Sequence, residues 1–167
     1  MTDTKLRAPR ATDVLKEDHE RLKALFADYE EFADDSALTK QGIFEEILRA
    51  LAVHVRIEEE IFYPAIAGRG PRGDGRDVVE EALEEHRIVK ALLAEMFELA
   101  PDSPDFDATM QALEESVGRH AEEEEKEIFP LFATLDAEKR DEVSEAQERR
   151  RAELNLGTAE GGSPGSA

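Results

Sequence analysis

The four histidines of this 167-residue chain fall into one arrangement written twice. His19 is followed 35 residues later by His54, with Glu58 four positions beyond; His86 is followed 34 residues later by His120, with Glu124 four positions beyond. Residues at i and i+4 share one face of an α-helix, about 6 Å apart along its axis, so each His/Glu pair can address one point. Two imidazole donors and a carboxylate form a ligand set for a transition metal, and the doubling predicts a dinuclear site between four helices.

Register carries the argument further than spacing does. His19 stands in the stripe Leu15, His19, Leu22, Phe26, Tyr29, and His54 and Glu58 stand in Ile47, Leu51, His54, Glu58, Ile61. His86 lies among Leu83 or Ala82, Val89, Leu93 and Met96, while His120 and Glu124 lie among Leu113, Val117 and Ile128. Every candidate ligand occupies a position where the helical pattern asks for an apolar side chain. Burying an unpaired carboxylate is costly, so two of them in core positions call for a compensating cation.

A single histidine on an apolar stripe is most often a hydrogen-bonded core residue. Four of them in a repeated arrangement, two with a core glutamate at i+4, favour the metal reading. Glu59, Glu60, Glu122, Glu123 and Glu125 read as solvated helix faces, the ordinary meaning of a charge run. Phe62-Tyr63-Pro64 and Phe129-Pro130 follow the two His/Glu pairs in matching places and read as core packing beside a helix-kinking proline. For Tyr63 a role as ligand, redox neighbour or hydrogen-bond donor stands as the alternative. Tyr29, ten residues past His19, lies about 15 Å along the helix and too far to be a ligand.

Composition narrows the function. A net charge of −20 argues against nucleic-acid and anionic-membrane partners, which are polyanions themselves. With no cysteine, disulfides, thiolate zinc sites and iron–sulfur clusters are excluded. The N-terminal MTDTKLRAPRATD lacks an apolar signal core, and no uncharged stretch approaches the roughly 18 residues of a membrane helix. A soluble cytoplasmic protein is the expectation.

Along the chain, residues 1–11 are expected to form a flexible arm, 12–156 one helical domain and 157–167 a disordered Gly/Ser/Pro-rich tail. Thr12 or Asp13 can cap a first helix ending near Phe32, and DDSALT connects it to a second helix ending near Ala67. GRGPRGDG breaks the pattern before a third helix, about Asp77 to Leu99. Ser103-Pro104 is an N-cap followed by proline at the first helical position of a fourth helix. Asp136 can start a shorter fifth helix ending near Leu154. The fold class is therefore all-α: an antiparallel up-down-up-down four-helix bundle with a short fifth C-terminal helix. HERLKALFAD aligns with HRIVKALLAE and HVRIEEEIFYPAIA with HAEEEEKEIFPLFA, so two helix hairpins facing each other would carry a pseudo-twofold axis.

Over about residues 12–134 the chain resembles the hemerythrin-like family, the HHE cation-binding domain. The resemblance rests on DHERLKAL, HVRIEEEIFYP, EEHRIVKAL and HAEEEEKEIFP. It implies two non-haem iron ions, oxo- or hydroxo-bridged, with His19 and His54 on one, His86 and His120 on the other, and Glu58 and Glu124 bridging. Oxygen-carrying members have a further histidine four residues after the one on the third helix, where this sequence has Lys90. Its loss implies a more open, symmetric pair, suited to turnover of a small oxidant (peroxide, O2 or NO) rather than reversible O2 carriage. Catalase-like disproportionation is one such activity. A sensor or storage module that binds O2, NO or iron without turnover is the alternative, and a zinc-bearing scaffold a third.

Overall fold

The computed structural model describes residues 10–32, 36–70 and 74–160, with side chains placed to residue 157. Most of the expected arm (1–9), the end of the expected tail (161–167) and the middles of the first two connections (33–35 and 71–73) lie outside the described residues. The elements in order are α1 (Ala11–Glu31), α2 (Ala37–Ile57), a π-turn π1 (Glu58–Phe62), α3 (Tyr63–Ile66), α4 (Gly75–Met96), α5 (Pro104–Glu123), a second π-turn π2 (Glu124–Ile128), α6 (Phe129–Ala133) and α7 (Ala137–Glu160). No strand occurs among the described residues, and no described helix is long and apolar enough to cross a membrane.

The helix ends follow local chemistry. Ser36 caps α2 by accepting from the Thr39 N–H at 3.2 Å. Ser103 caps α5 by accepting from the Phe106 N–H at 3.2 Å, with Pro104 where its missing N–H costs nothing. The first helix departs from expectation: Arg10 is its N-cap, Ala11 already belongs to α1, and the Asp13 carboxylate accepts from the Arg10 N–H. Within the GRGPRGDG break, Gly70 takes φ +106°, a left-handed conformation open to glycine. α7 continues through Gly157 to Glu160, so the first residues assigned to a disordered tail are helical.

The second rod (α2, π1, α3) and the fourth (α5, π2, α6) each widen by one residue per turn directly after the His/Glu pair. Pro64 and Pro130 explain where. A proline in a helix interior has no N–H to give and its ring presses on the carbonyl four residues back. The chain relieves this with i→i−5 bonds, the Tyr63 N–H to the Glu58 carbonyl and the Phe129 N–H to the Glu124 carbonyl.

Short connections make successive rods antiparallel. α1 packs on α2, α4 on α5, and α1 on α5 closes the bundle. The apolar interior is split in two. Leu22, Phe26, Ile47, Leu51, Met110 and Leu113 belong to one core, and Leu15, Ile57, Phe62, Ile66, Ile128 and Phe132 to the other. The histidines and the two core glutamates lie in the layer between them. α7 lies outside the four rods against α1, α2 and π1.

Candidate metal centre

One imidazole comes from each long helix: His19 from α1, His54 from α2, His86 from α4 and His120 from α5. Glu58 and Glu124 open π1 and π2. All six side chains expected from the sequence are buried and meet in one layer. His19, His54, Glu58 and Glu124 bring one ligand atom each within 4.8 Å of one another, and Glu58, His86 and His120 do the same beside them. Glu58 belongs to both groups, with Oε1 2.9 Å from His54 Nε2 and Oε2 3.0 Å from His86 Nε2. Glu124 joins the first group, its Oε2 3.1 Å from His19 Nε2. The expected symmetry is therefore incomplete.

The other nitrogen of each ring is tied down. His54 Nδ1 donates to Asp18 at 3.1 Å, His86 Nδ1 to Glu59 at 2.9 Å, His120 Nδ1 to Glu85 at 2.8 Å and His19 Nδ1 to Glu125 at 2.9 Å. An ionised carboxylate can only accept, so Nδ1 carries the proton and Nε2 turns a lone pair inward. The bonds run in a ring: α1 orients the histidine of α2, the second rod that of α4, α4 that of α5, and the fourth rod that of α1. Each carboxylate also meets a cation, Arg151 at 2.6 Å, Lys90 at 2.7 Å, Arg119 at 3.6 Å and Lys16 at 3.6 Å respectively.

Glu59 and Glu125 are thus not the solvated residues their charge run suggested. They stand one position past Glu58 and Glu124, the candidate ligands, and reach sideways to the histidine of the next helix. Asp18 and Glu85, each one position before a histidine, were missed as well. The available signal was the doubled acid–His and Glu–Glu pairing, since a residue adjacent to a core position on a helix borders the neighbouring helix. Lys90 bonds both oxygens of Glu59, at 2.7 and 3.0 Å, and stays outside the ligand layer.

The inner atoms show what the layer fits. His19 Nε2, His54 Nε2 and both oxygens of Glu58 and of Glu124 are buried without a hydrogen bond. His86 Nε2 and His120 Nε2 face each other at 3.3 Å. Buried polar groups almost always have a partner, and here lone pairs converge on shared points with the Tyr63 hydroxyl, beside His86 and His120, as the one donor among the described residues. A cation at each point satisfies them, which is the fit expected of metal ligands.

Without a cation the layer must hold protons. Burial opposes charge on His54, yet Glu58, Asp18 and Glu124 raise its pKa to about 10. Burial likewise opposes charge on His120, and Glu58, Glu85 and Glu124 raise it to about 10. Burial pushes the Glu58 carboxyl up, but His54, His120 and His86 hold it well below its ordinary range. The Glu124 carboxyl is raised, by burial and then by the charge on Glu58. Two carboxylates this close do not both stay ionised unless positive charge joins them.

The two halves also differ in their aromatic neighbour. The Tyr63 hydroxyl lies 3.4 Å from His86 Nε2 and 3.5 Å from His120 Nε2. At the corresponding repeat position Phe129 stacks on His19, centroids 6.1 Å apart and planes within 4°. Burial, with the charges of Glu58 and Glu124, raises the Tyr63 pKa far above that of a free phenol, so the hydroxyl keeps its proton. Tyr63 is both core packing and a polar group aimed at the ligand layer. The wide turn of π1 brings it there, because five residues in π geometry overshoot a full turn far less than in α geometry.

Comparison with known proteins agrees with this geometry. An uncharacterized protein of Mycobacterium tuberculosis is 30% identical over 120 residues, 72% of this chain and 70% of that one. A Nostoc protein named as a DNA nickase is 28% identical over 117 residues, but the match covers 70% of this chain and only 32% of that protein. The crystal structure of a hemerythrin HHE cation binding domain-containing protein from Mycobacterium kansasii superposes with a TM-score of 0.75 at 25% identity, covering 87% of each chain. The sequence profile of the hemerythrin HHE cation binding domain matches residues 10–132. With that profile spanning most of the chain and a buried His/Glu cluster fit for cations, this protein belongs to the hemerythrin HHE cation-binding domain family.

Proposed function

We propose that the chain holds two non-haem iron ions and reacts with small oxidants, hydrogen peroxide first, with O2 and nitric oxide as the other members of the class. The observation that carries this is the set of buried, unpartnered lone pairs of His19, His54, Glu58 and Glu124, next to the Glu58, His86 and His120 group. The first four residues would hold one ion and the last three the other, with Glu58 common to both. Nitrogen and oxygen donors in this mixture suit iron, and two adjacent iron ions supply a two-electron redox couple.

The protein's own contribution is position and dryness. The carboxylate ring fixes all four imidazoles in the tautomer that turns Nε2 inward. The apolar cores above and below exclude bulk water, which strengthens every charge interaction inside the layer. Tyr63, protonated and 3.4 Å from His86 Nε2, supplies a hydrogen-bond donor on one side only. Lys90, drawn outward to Glu59, leaves the His86 and His120 half without a third imidazole. Those features support turnover over reversible O2 carriage. The net charge of −20 gives no support for carrying DNA nicking over from the Nostoc relative.

The test is rapid mixing of the iron-loaded protein with peroxide, following absorbance and evolved oxygen. Peroxide consumption with O2 release is expected. A stable O2 complex that releases its ligand under vacuum, with no peroxide consumed, would establish a carrier or sensor instead.

A further inference from the structure

Among the grooves along the bundle, two are related to each other by the repeat that relates His19 to His86. One, about 470 Å3, lies between α2 and α4, with Ala52 and Val55 in its wall. The other, about 320 Å3, lies between α1 and α5, where the same repeat positions are Gly118 and Ala121. Each substitution removes carbon from the wall. His19 lines the second groove, whereas His86 does not line the first.

Gly118 has no backbone reason to be glycine. It sits inside α5, and the one glycine of positive φ among the described residues is Gly70. A Cβ added at 118 would meet nothing within 4 Å, so no close approach requires its absence. Glycine in a helix interior is less stable than alanine. Gly118 is exposed, and its missing side chain leaves open space in the wall of the groove that His19 also lines.

We propose that the groove between α1 and α5 is the route by which small molecules reach the metal centre, and that Gly118 and Ala121 set its width. The proposal takes from the functional reading only that His19 is a metal ligand. The groove also selects by charge. Glu20, Glu114, Glu122 and Glu125 line it against the single cation Lys23, so anions are repelled while neutral molecules pass freely. The groove between α2 and α4 has Arg56 and Lys90 balancing Glu59 and Glu60 and offers no such selection. The ligand class is therefore small and uncharged: hydrogen peroxide, O2 or nitric oxide rather than azide or superoxide.

The experiment compares wild type with Gly118→Leu and, as the repeat-related control, Ala52→Leu, all as the full chain. Gly118→Ala serves as a milder step, and circular dichroism confirms that each is folded. In metal-free protein, diethyl pyrocarbonate labelling read by peptide mass spectrometry should modify His19 first. Gly118→Leu should slow His19 about tenfold and Ala52→Leu should leave it unchanged. In metal-loaded protein, nitric oxide binding followed by absorbance should slow in Gly118→Leu with metal content unaltered. Azide binding should be slow at low salt and quicken as salt screens the carboxylates. If His19 labels no faster than the other three, or Ala52→Leu slows it equally, the route is wrong. If labelling follows Gly118 but the iron-loaded protein ignores peroxide, the route stands and the functional reading fails.

Discussion

Arg151 of α7 grips both oxygens of Asp18, at 2.6 and 3.1 Å, and Asp18 in turn accepts the Nδ1 proton of His54. The fifth helix thus reaches the metal layer through two residues. Its other ties lie away from that layer: Arg150 to Glu60 on the surface, a buried bond in which Ser144 accepts from the Ala11 N–H at 3.0 Å, and Val143 in the core that holds Leu15 and Ile57. The Asp18 carboxyl feels opposing effects, with burial raising its pKa and the bonds to His54 and Arg151 lowering it further.

Arg151→Ala should therefore weaken one metal position selectively. Without the guanidinium, Asp18 is a half-buried carboxylate held by one imidazole, and His54 loses part of its anchoring. Changes at such outer partners typically cost about 10–100-fold in metal affinity. Competition titration against a graded chelator should show one of the two metals released more easily. Release of both together, or of neither, would show that α7 does not act through Asp18.

Carboxylates should separate into three ranks. Glu58→Ala should abolish binding of both ions, because Glu58 belongs to both ligand groups. Glu59→Ala and Glu125→Ala should each lower affinity about 10–100-fold by freeing one imidazole. Glu122→Ala, in the wall of the groove, should leave metal content unchanged. Metal analysis after dialysis against a weak chelator ranks them, and equal loss from Glu122 and Glu58 would contradict the facing of π1 and α5.

Metal removal should lower the melting temperature, and the gap should widen as pH rises from about 6.5 to 10. In the metal-free protein His54 and His120 have pKa values raised to about 10 from 6.5. A raised pKa adds stability that is whole below the unfolded value and vanishes as pH climbs through the folded one. Protons also compete with the metal for these rings, so metal affinity should rise over the same interval. Paired melting curves with and without metal check this, and a gap that shrinks with pH would refute it.

Tyr63→Phe should keep the fold while altering the His86 and His120 half. The ring still fills its place in the core with Phe62 and Ile66, and only the hydroxyl is lost. Because Phe129 already occupies the matching place near His19, the variant removes this one difference, while the four-residue and three-residue ligand groups still distinguish the halves. Spectra of the loaded protein should then shift for the His86 and His120 environment and leave the His19 and His54 environment unchanged. Unchanged spectra would place the hydroxyl outside the ligands' reach.

Much was legible in the sequence because a helix converts spacing into facing. A residue at i+4 must lie above residue i, so spacing alone puts His54 and Glu58 on a shared face, and their apolar neighbours mark that face as buried. Ser103-Pro104 marks a helix start by the same local logic. The Ser103 cap, the connections and the six inner side chains rest on interactions within a few residues or on a period that a helix imposes, whereas the start of α1 fell at Arg10 rather than at Thr12 or Asp13.

Tertiary structure decided what lies between helices. Nothing local to Glu59 says that it reaches His86 on another rod, because that contact depends on how the two rods rotate against each other. Whether the half-buried acids are solvent or scaffold is settled by that rotation. The π-turns were hidden for a related reason: Pro64 demands relief from its i−4 carbonyl, but whether the chain kinks, frays or widens depends on the packing around it. Widening is what turned Tyr63 toward the metal layer. The residues able to hold metal were thus determined by sequence periodicity, while their partners, their asymmetry and the route to them were decided by the packing of separate helices.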